Sequence, residues 1–205
     1  MSGILKVGGS ELINDNGGSG SLQWSSGLPS GSIVQIQYTQ YTGTCSMTAI
    51  TQNTAFPVCD GVAGSGTEIL NVIVTPKISN SKFLIEAQWQ GELRPFDLQH
   101  DHIFSFFRGT THLAQSGVSG GVQVGWVTYV DASNDSSTSN GVFLRYFDAP
   151  SISAGTATTW KLAYEQAGLA NSSNTGLFTN QTVDTGSGAG NERGISSISV
   201  TEIAP

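Results

Sequence analysis

Phe83-Leu84-Ile85-Glu86-Ala87-Gln88-Trp89 is the stretch on which the reading of the fold turns. Phe83, Ile85, Ala87 and Trp89 fall on one side of an extended chain, and Leu84, Glu86 and Gln88 fall on the other. Side chains alternate across a strand, so this is the period-two signature of a half-buried β-strand. Working outward, Val34, Ile36 and Tyr38 alternate with Gln35, Gln37 and Thr39. Val122, Val124, Trp126, Thr128 and Val130 mark another face, with Gln123 and Gly125 opposite. Val142, Leu144 and Tyr146 repeat the pattern, as do Trp160, Leu162 and Tyr164, and finally Ile198 and Val200. No stretch of useful length carries the i, i+3, i+4, i+7 spacing of an amphipathic helix. With residues 69–75 and 102–108 this makes about eight strands, bounded by clusters of Gly, Pro, Asn and Ser. The expectation is an all-β domain over residues 31–205, an antiparallel two-sheet sandwich of jelly-roll-like type, with each alternating apolar set turned inward. Residues 131–141 and 168–193 read as exposed loops.

Composition narrows the function. The chain has 205 residues, 8 Lys+Arg against 15 Asp+Glu and a net charge of -7. Only 11% of residues are charged, against about 25% in ordinary soluble domains. So few cations cannot neutralise many phosphates, which argues against nucleic acid as a partner. No apolar run approaches the ~18 residues of a membrane helix, so no membrane insertion is expected. The opening residues lack the apolar stretch of a signal peptide. Nine Phe and four Trp supply bulk for a core.

Residues 1–30 read differently. Gly8-Gly9-Ser10 and Asn14-Asp15-Asn16-Gly17-Gly18-Ser19-Gly20-Ser21 are entropically costly to order. Three apolar anchors interrupt them: Ile4 with Leu5, Leu12 with Ile13, and Leu22 with Trp24. Spaced anchors on a Gly/Ser-rich tether suit an extended N-terminal arm that lies on another molecule.

Several motifs carry potential chemistry. Cys45 and Cys59 are the only cysteines and lie in polar, turn-like surroundings. A disulfide between them is expected, and closing a loop of this size would contribute about 3 kcal/mol on chain-entropy grounds. Two buried thiols are the alternative. His100 and His102, in His-Asp-His, would point the same way on a strand and are the candidate metal ligands. No carboxylate follows closely and His112 lies beyond a Gly-Thr-Thr turn, so histidines without metal are the expectation, and no cofactor is expected. Gly117-Val118-Ser119-Gly120-Gly121 fits the serine-hydrolase elbow in letters only, because a strand rather than a helix follows it. Glu86 and Glu92 read as solvated strand-end residues, with Asp97 and Asp101 nearby, and nothing sets two of them across a scissile bond. Asp131 and Asp135 are in the wrong order for an EF-hand, and the Asn134, Asn171 and Asn180 glycosylation patterns read as accidental. Trp89, Trp126 and Trp160 read as core before sugar platforms. Phe104 and Phe106 belong to a strand apolar on both faces, either central or at a subunit interface. The chain reads as no enzyme. A carbohydrate-binding or depolymerising sandwich is the reading that would overturn this.

Several phrases, taken in order, resemble a known group. They are Pro29-Ser-Gly-Ser-Ile-Val-Gln-Ile36, Val72-Ile-Val-Thr-Pro76, Ser81-Lys-Phe-Leu-Ile85, Phe106-Phe-Arg-Gly-Thr110, Tyr146-Phe-Asp-Ala-Pro150, Thr158-Thr-Trp-Lys-Leu162 and Ile195-Ser-Ser-Ile-Ser-Val-Thr-Glu-Ile203. Together they resemble tailed-phage virion proteins of marine and cyanobacterial phages, described as tail-fibre-like or minor structural proteins. Cys45, Cys59 and the His-Asp-His segment are not part of that pattern. The resemblance implies a non-enzymatic, homotrimeric β-domain on the virion surface, touching the major capsid protein or tail components. Without heptads or a repeated shaft, the chain fits a capsid decoration (cement) protein gripping through residues 1–30 ahead of a tail fibre or spike tip that binds a host receptor.

Overall fold

The structure, a computed structural model, describes residues 4–7, 10–14, 23–24, 28–48, 69–95, 102–113, 126–128, 139–166, 175–184 and 191–205. Its strands are β1 (Ile4–Val7), β2 (Ser10–Asn14), β3 (Gln23–Trp24), β4 (Ile33–Tyr41), β5 (Cys45–Thr48), β6 (Leu70–Val74) and β7 (Lys82–Pro95). There follow β8 (His102–Arg108), β9 (Thr111–His112), β10 (Trp126–Thr128), β11 (Asn140–Asp148), β12 (Thr158–Gln166), β13 (Thr175–Thr179) and β14 (Ser196–Ile203). The described residues contain no helix.

Two antiparallel sheets make the sandwich. The front sheet runs β4-β14-β7-β13-β5 with β11 on β7, and the back sheet runs β10-β8-β12-β6 with β9 on β8. Of the strands β4, β6, β7, β8, β10, β11, β12 and β14, the first pairs with the last, β6 with β12, β7 with β11, and β8 with β10. Nested pairing of this kind is a long hairpin rolled into two layers, which is the jelly-roll arrangement expected from the sequence.

The core lies where the two period-two faces meet. Phe83, Ile85 and Trp89 of β7, Leu144 of β11, and Ile198 and Val200 of β14 pack against Trp160, Leu162 and Tyr164 of β12 and Phe104 and Phe106 of β8. The rings form contacts across the layers: Phe83 on Trp160 with centroids 4.6 Å apart, and Phe104 between Trp89 and Tyr164 at 5.2 Å each. Each buried indole N–H has an acceptor, Thr179 Oγ1 at 3.0 Å for Trp89 and Asp148 Oδ2 at 3.1 Å for Trp160. Trp89 and Trp160 are therefore core, and β8 is a central strand held between β10 and β12.

Two carboxylates pin the layers. Asp148 on the front sheet takes both Arg108 (2.6 Å) and the Trp160 indole from the back sheet. Glu202 follows Ile198 and Val200 on the inward parity of β14 and is fully buried. The backbone N–H groups of Lys77 and Ile78, the Ser81 hydroxyl and the Gln35 amide all donate to it. A buried carboxylate is tolerable only when its lone pairs are satisfied, and here the turn after β6 supplies the donors.

The front sheet contains an interrupted row. β13 opposes Pro95–Gly91 and β14 continues opposite Gln88–Lys82, so both lie along the same side of β7. Between them, residues 180–184 and 191–195 lie outside both strands. At the departure point Asn180 is left-handed (φ 58°) and donates from Nδ2 to the carbonyls of Tyr41 (2.7 Å) and Gly43 (2.8 Å). Ser196 Oγ donates to Asn180 Oδ1 at 2.7 Å, and Gln181 bridges Arg193. Gly91 sits beside this node at φ 157°, where a Cβ would lie 2.0 Å from the Phe178 carbonyl oxygen. Only glycine fits there.

Four expectations are corrected. Residues 168–193 are not one loop, because Thr175–Thr179 is a strand paired on both sides with Leu177 and Phe178 buried. The strand β11 begins at Asn140, inside the expected 131–141 loop. Glu92 is not solvated: it is fully buried, with Val183 N–H donating to Oε2 at 2.6 Å. In β4, Ile36 and Tyr38 turn outward, not inward. The pairing skips Val34 between Ile33 and Gln35, and such a bulge resets which parity faces the core. Gln35 then takes an inward position, where its amide reaches Thr75 O (2.9 Å) and Glu202.

Residues 1–30 contain extended strands that pair with one another. The order is β1-β2-β3, and Leu5, Ile13 and Trp24 stand at consecutive register positions across it.

Candidate functional site

The outward face of the front sheet is the part of the molecule whose composition the fold does not explain. It is built in cross-strand rows. Tyr38, Ser199, Glu86 and Arg145 form one, in the order β4, β14, β7, β11. Ile36, Thr201, Leu84 and Phe147 form the next, and Gln40, Ser197, Gln88 and Phe143 the third. Tyr38 is 65% exposed, Phe143 62%, Ile36 59% and Phe147 51%. Large apolar side chains this open are ordinary when scattered, but these share one face.

The charges on these rows cancel. Arg145 donates to Glu86 Oε1 from Nη2 at 2.6 Å and from Nε at 2.9 Å, and its guanidinium lies 6.0 Å from the Phe143 ring centre. Within these rows the face is aromatic and neutral, on a chain of net charge -7. Exposed apolar side chains gathered on one face suit docking to another molecule.

The residues singled out from sequence fall as follows. His102 opens β8, paired in register with Thr128 and Gln166, and His100 lies outside the described residues. His112 stacks on the Phe107 ring, 4.7 Å between centroids and 7° from parallel. Among the described residues no group of three or more His, Cys, Asp or Glu gathers as a metal site would require. Cys45 is half-buried at the start of β5, opposite Thr179, and Cys59 lies outside the described residues. Ile4 and Leu5 are in β1, Leu12 and Ile13 in β2 and Trp24 in β3, while Leu22 is outside. The Gly117–Gly121 motif, Asp97, Asp101, Asp131, Asp135, Asn134 and Asn171 are also outside. Asn180 is buried and its amide is spent on Tyr41 and Gly43, so its glycosylation pattern is not presented to solvent. Burial pushes the Tyr164 phenol far above its ordinary range.

Sequence reasoning missed the exposed quartet of Ile36, Tyr38, Phe143 and Phe147. A signal was present: Val142-Phe143-Leu144-Arg145-Tyr146-Phe147 is apolar on both parities, so one set had to face away from the core. Compared with known protein families and with curated proteins, the chain matches none.

Proposed function

We propose that the chain is a non-enzymatic structural protein of a tailed-phage particle, a homotrimeric decoration protein on the virion surface anchored by residues 1–30. The observation that carries this reading is the division of the chain: among the described residues β1, β2 and β3 pair only with one another, and none of them is shared with the sandwich. An N-terminal element that contributes no strand to the fold is available for attachment to a neighbouring capsid subunit. The ordered phrases from Pro29 to Ile203 supply the link to phage virion proteins. The carboxylates Asp148 and Glu202 support a passive role, because both are consumed in joining the sheets.

The test deletes residues 1–24 and measures binding to expanded empty phage heads, with circular dichroism as the check on folding. Loss of head binding by a folded sandwich is expected. Unchanged binding removes the anchor. Labelled protein that stains host cells and ignores heads replaces decoration by a fibre or spike role, and release of reducing sugar from host polysaccharide overturns the non-enzymatic reading.

A further inference from the structure

We propose that the outward face of the front sheet is where a second copy of this chain docks. This deepens the homo-oligomeric part of the function proposed above by naming the surface that makes the contact. Four large apolar side chains, Ile36, Tyr38, Phe143 and Phe147, stand more than half exposed on rows defined by strand register. Ile33, 64% exposed at the start of β4, extends the patch at its rim. Four strands about 4.8 Å apart and three side-chain rows give a face on the order of 400 Å². That is the size at which an apolar patch on a monomer is usually functional. It supplies roughly half of the ~800 Å² each partner contributes to a standard interface, leaving the remainder to the rim.

Charge selects the occupant. A chain of net charge -7 repels its own copies at most orientations. On this face the only charges within the three rows are Glu86 and Arg145, on adjacent strands and already paired at 2.6 Å. A face whose one acid and one base are already paired presents no net charge to an approaching copy, whereas a single-sign face would repel it. Approach of a copy along this face therefore brings no unpaired like charges together within the rows and buries aromatic area. The face is bordered by β11, which among the named strands pairs only with β7, and by β4, which pairs only with β14. Both borders can widen the contact, since an open strand edge readily accepts another chain.

The test measures the mass of the isolated full-length chain by light scattering and sedimentation from about 0.5 to about 50 µM, a range that brackets ordinary homo-oligomer affinities. Wild type is expected to associate. The double variant Phe143→Ser/Phe147→Ser is expected to remain monomeric with unchanged circular dichroism. Ile73→Ser, an equally exposed change on the outward side of the back sheet, is expected to leave the mass as in wild type. Should the double variant fail to fold, Arg145→Glu answers the same question: it sets two acids side by side, is expected to weaken association at least tenfold at low salt, and is expected to regain part of it at high salt. A wild-type chain that is monomeric throughout overturns both the docking face and the homo-oligomeric reading. An oligomer indifferent to Phe143, Phe147 and Arg145 overturns the face alone. A monomer that binds immobilised glycans through Tyr38 and Phe143 also overturns it, in favour of a sugar ligand.

Discussion

Leu144 and Phe143 are neighbours on β11, yet one is 1% exposed and the other 62%. The inward side of the front sheet meets a second layer and is buried in a shared core. The outward side carries comparable apolar bulk and meets nothing among the described residues. The difference teaches that hydrophobicity alone does not say what a residue is for. Inward bulk stabilises the sandwich at any protein concentration, whereas outward bulk contributes only when another surface arrives.

Substitution separates the two sides. Leu144→Ala is expected to lower unfolding stability by about 3 kcal/mol at every protein concentration, read from denaturant midpoints. Phe143→Ala is expected to change the dilute-limit stability by less than about 0.5 kcal/mol and to act on the concentration-dependent part. If Phe143→Ala matched Leu144→Ala in dilute solution, the contrast between the faces would fail. An effect smaller than that of Leu144→Ala is expected from Glu202→Gln, which keeps the volume but turns an acceptor into a donor facing the N–H groups of Lys77 and Ile78. About 2 kcal/mol should be lost, with the change in hydrogen exchange concentrated at residues 75–81. The smallest effect at neutral pH belongs to Tyr164. Its folded phenol resists ionisation because burial raises its pKa, while the unfolded phenol ionises near pH ~10. Above that pH the unfolded state binds fewer protons, so stability should fall by about 1.4 kcal/mol per pH unit. Tyr164→Phe should remove that slope and leave the rest of the pH profile as it was.

Much of the fold was legible because strand periodicity is local. Phe83 to Trp89, Trp160 to Tyr164 and Ile198 with Val200 declare a buried face without outside help, and Glu202 follows on the same parity. What periodicity cannot declare is which of two faces is covered. For β4 that choice rests on a bulge at Val34 and on the polar turn beneath Gln35, both set by distant partners. β13 escaped notice since Thr175–Thr179 has only two large apolar residues and owes its conformation to β5 and β7 on either side. Glu92 looked solvated because nothing local reveals that Val183 will donate to it. The candidate face was half legible: the doubly apolar run in β11 announced a surplus, but its union with Ile36 and Tyr38 required the register of four strands.

The break in the row formed by β13 and β14 has a mechanical consequence. Asn180, Ser196 and the Gln181–Arg193 bridge cinch the two feet of the excursion, so the ladder closes beneath it rather than through it. Changes at Thr182 and Val183 are costly in turn, since Thr182 is fully buried and the Val183 N–H donates to the buried Glu92 carboxylate. The interruption is thus braced from two directions, by hydrogen bonds at its feet and by a buried acid underneath.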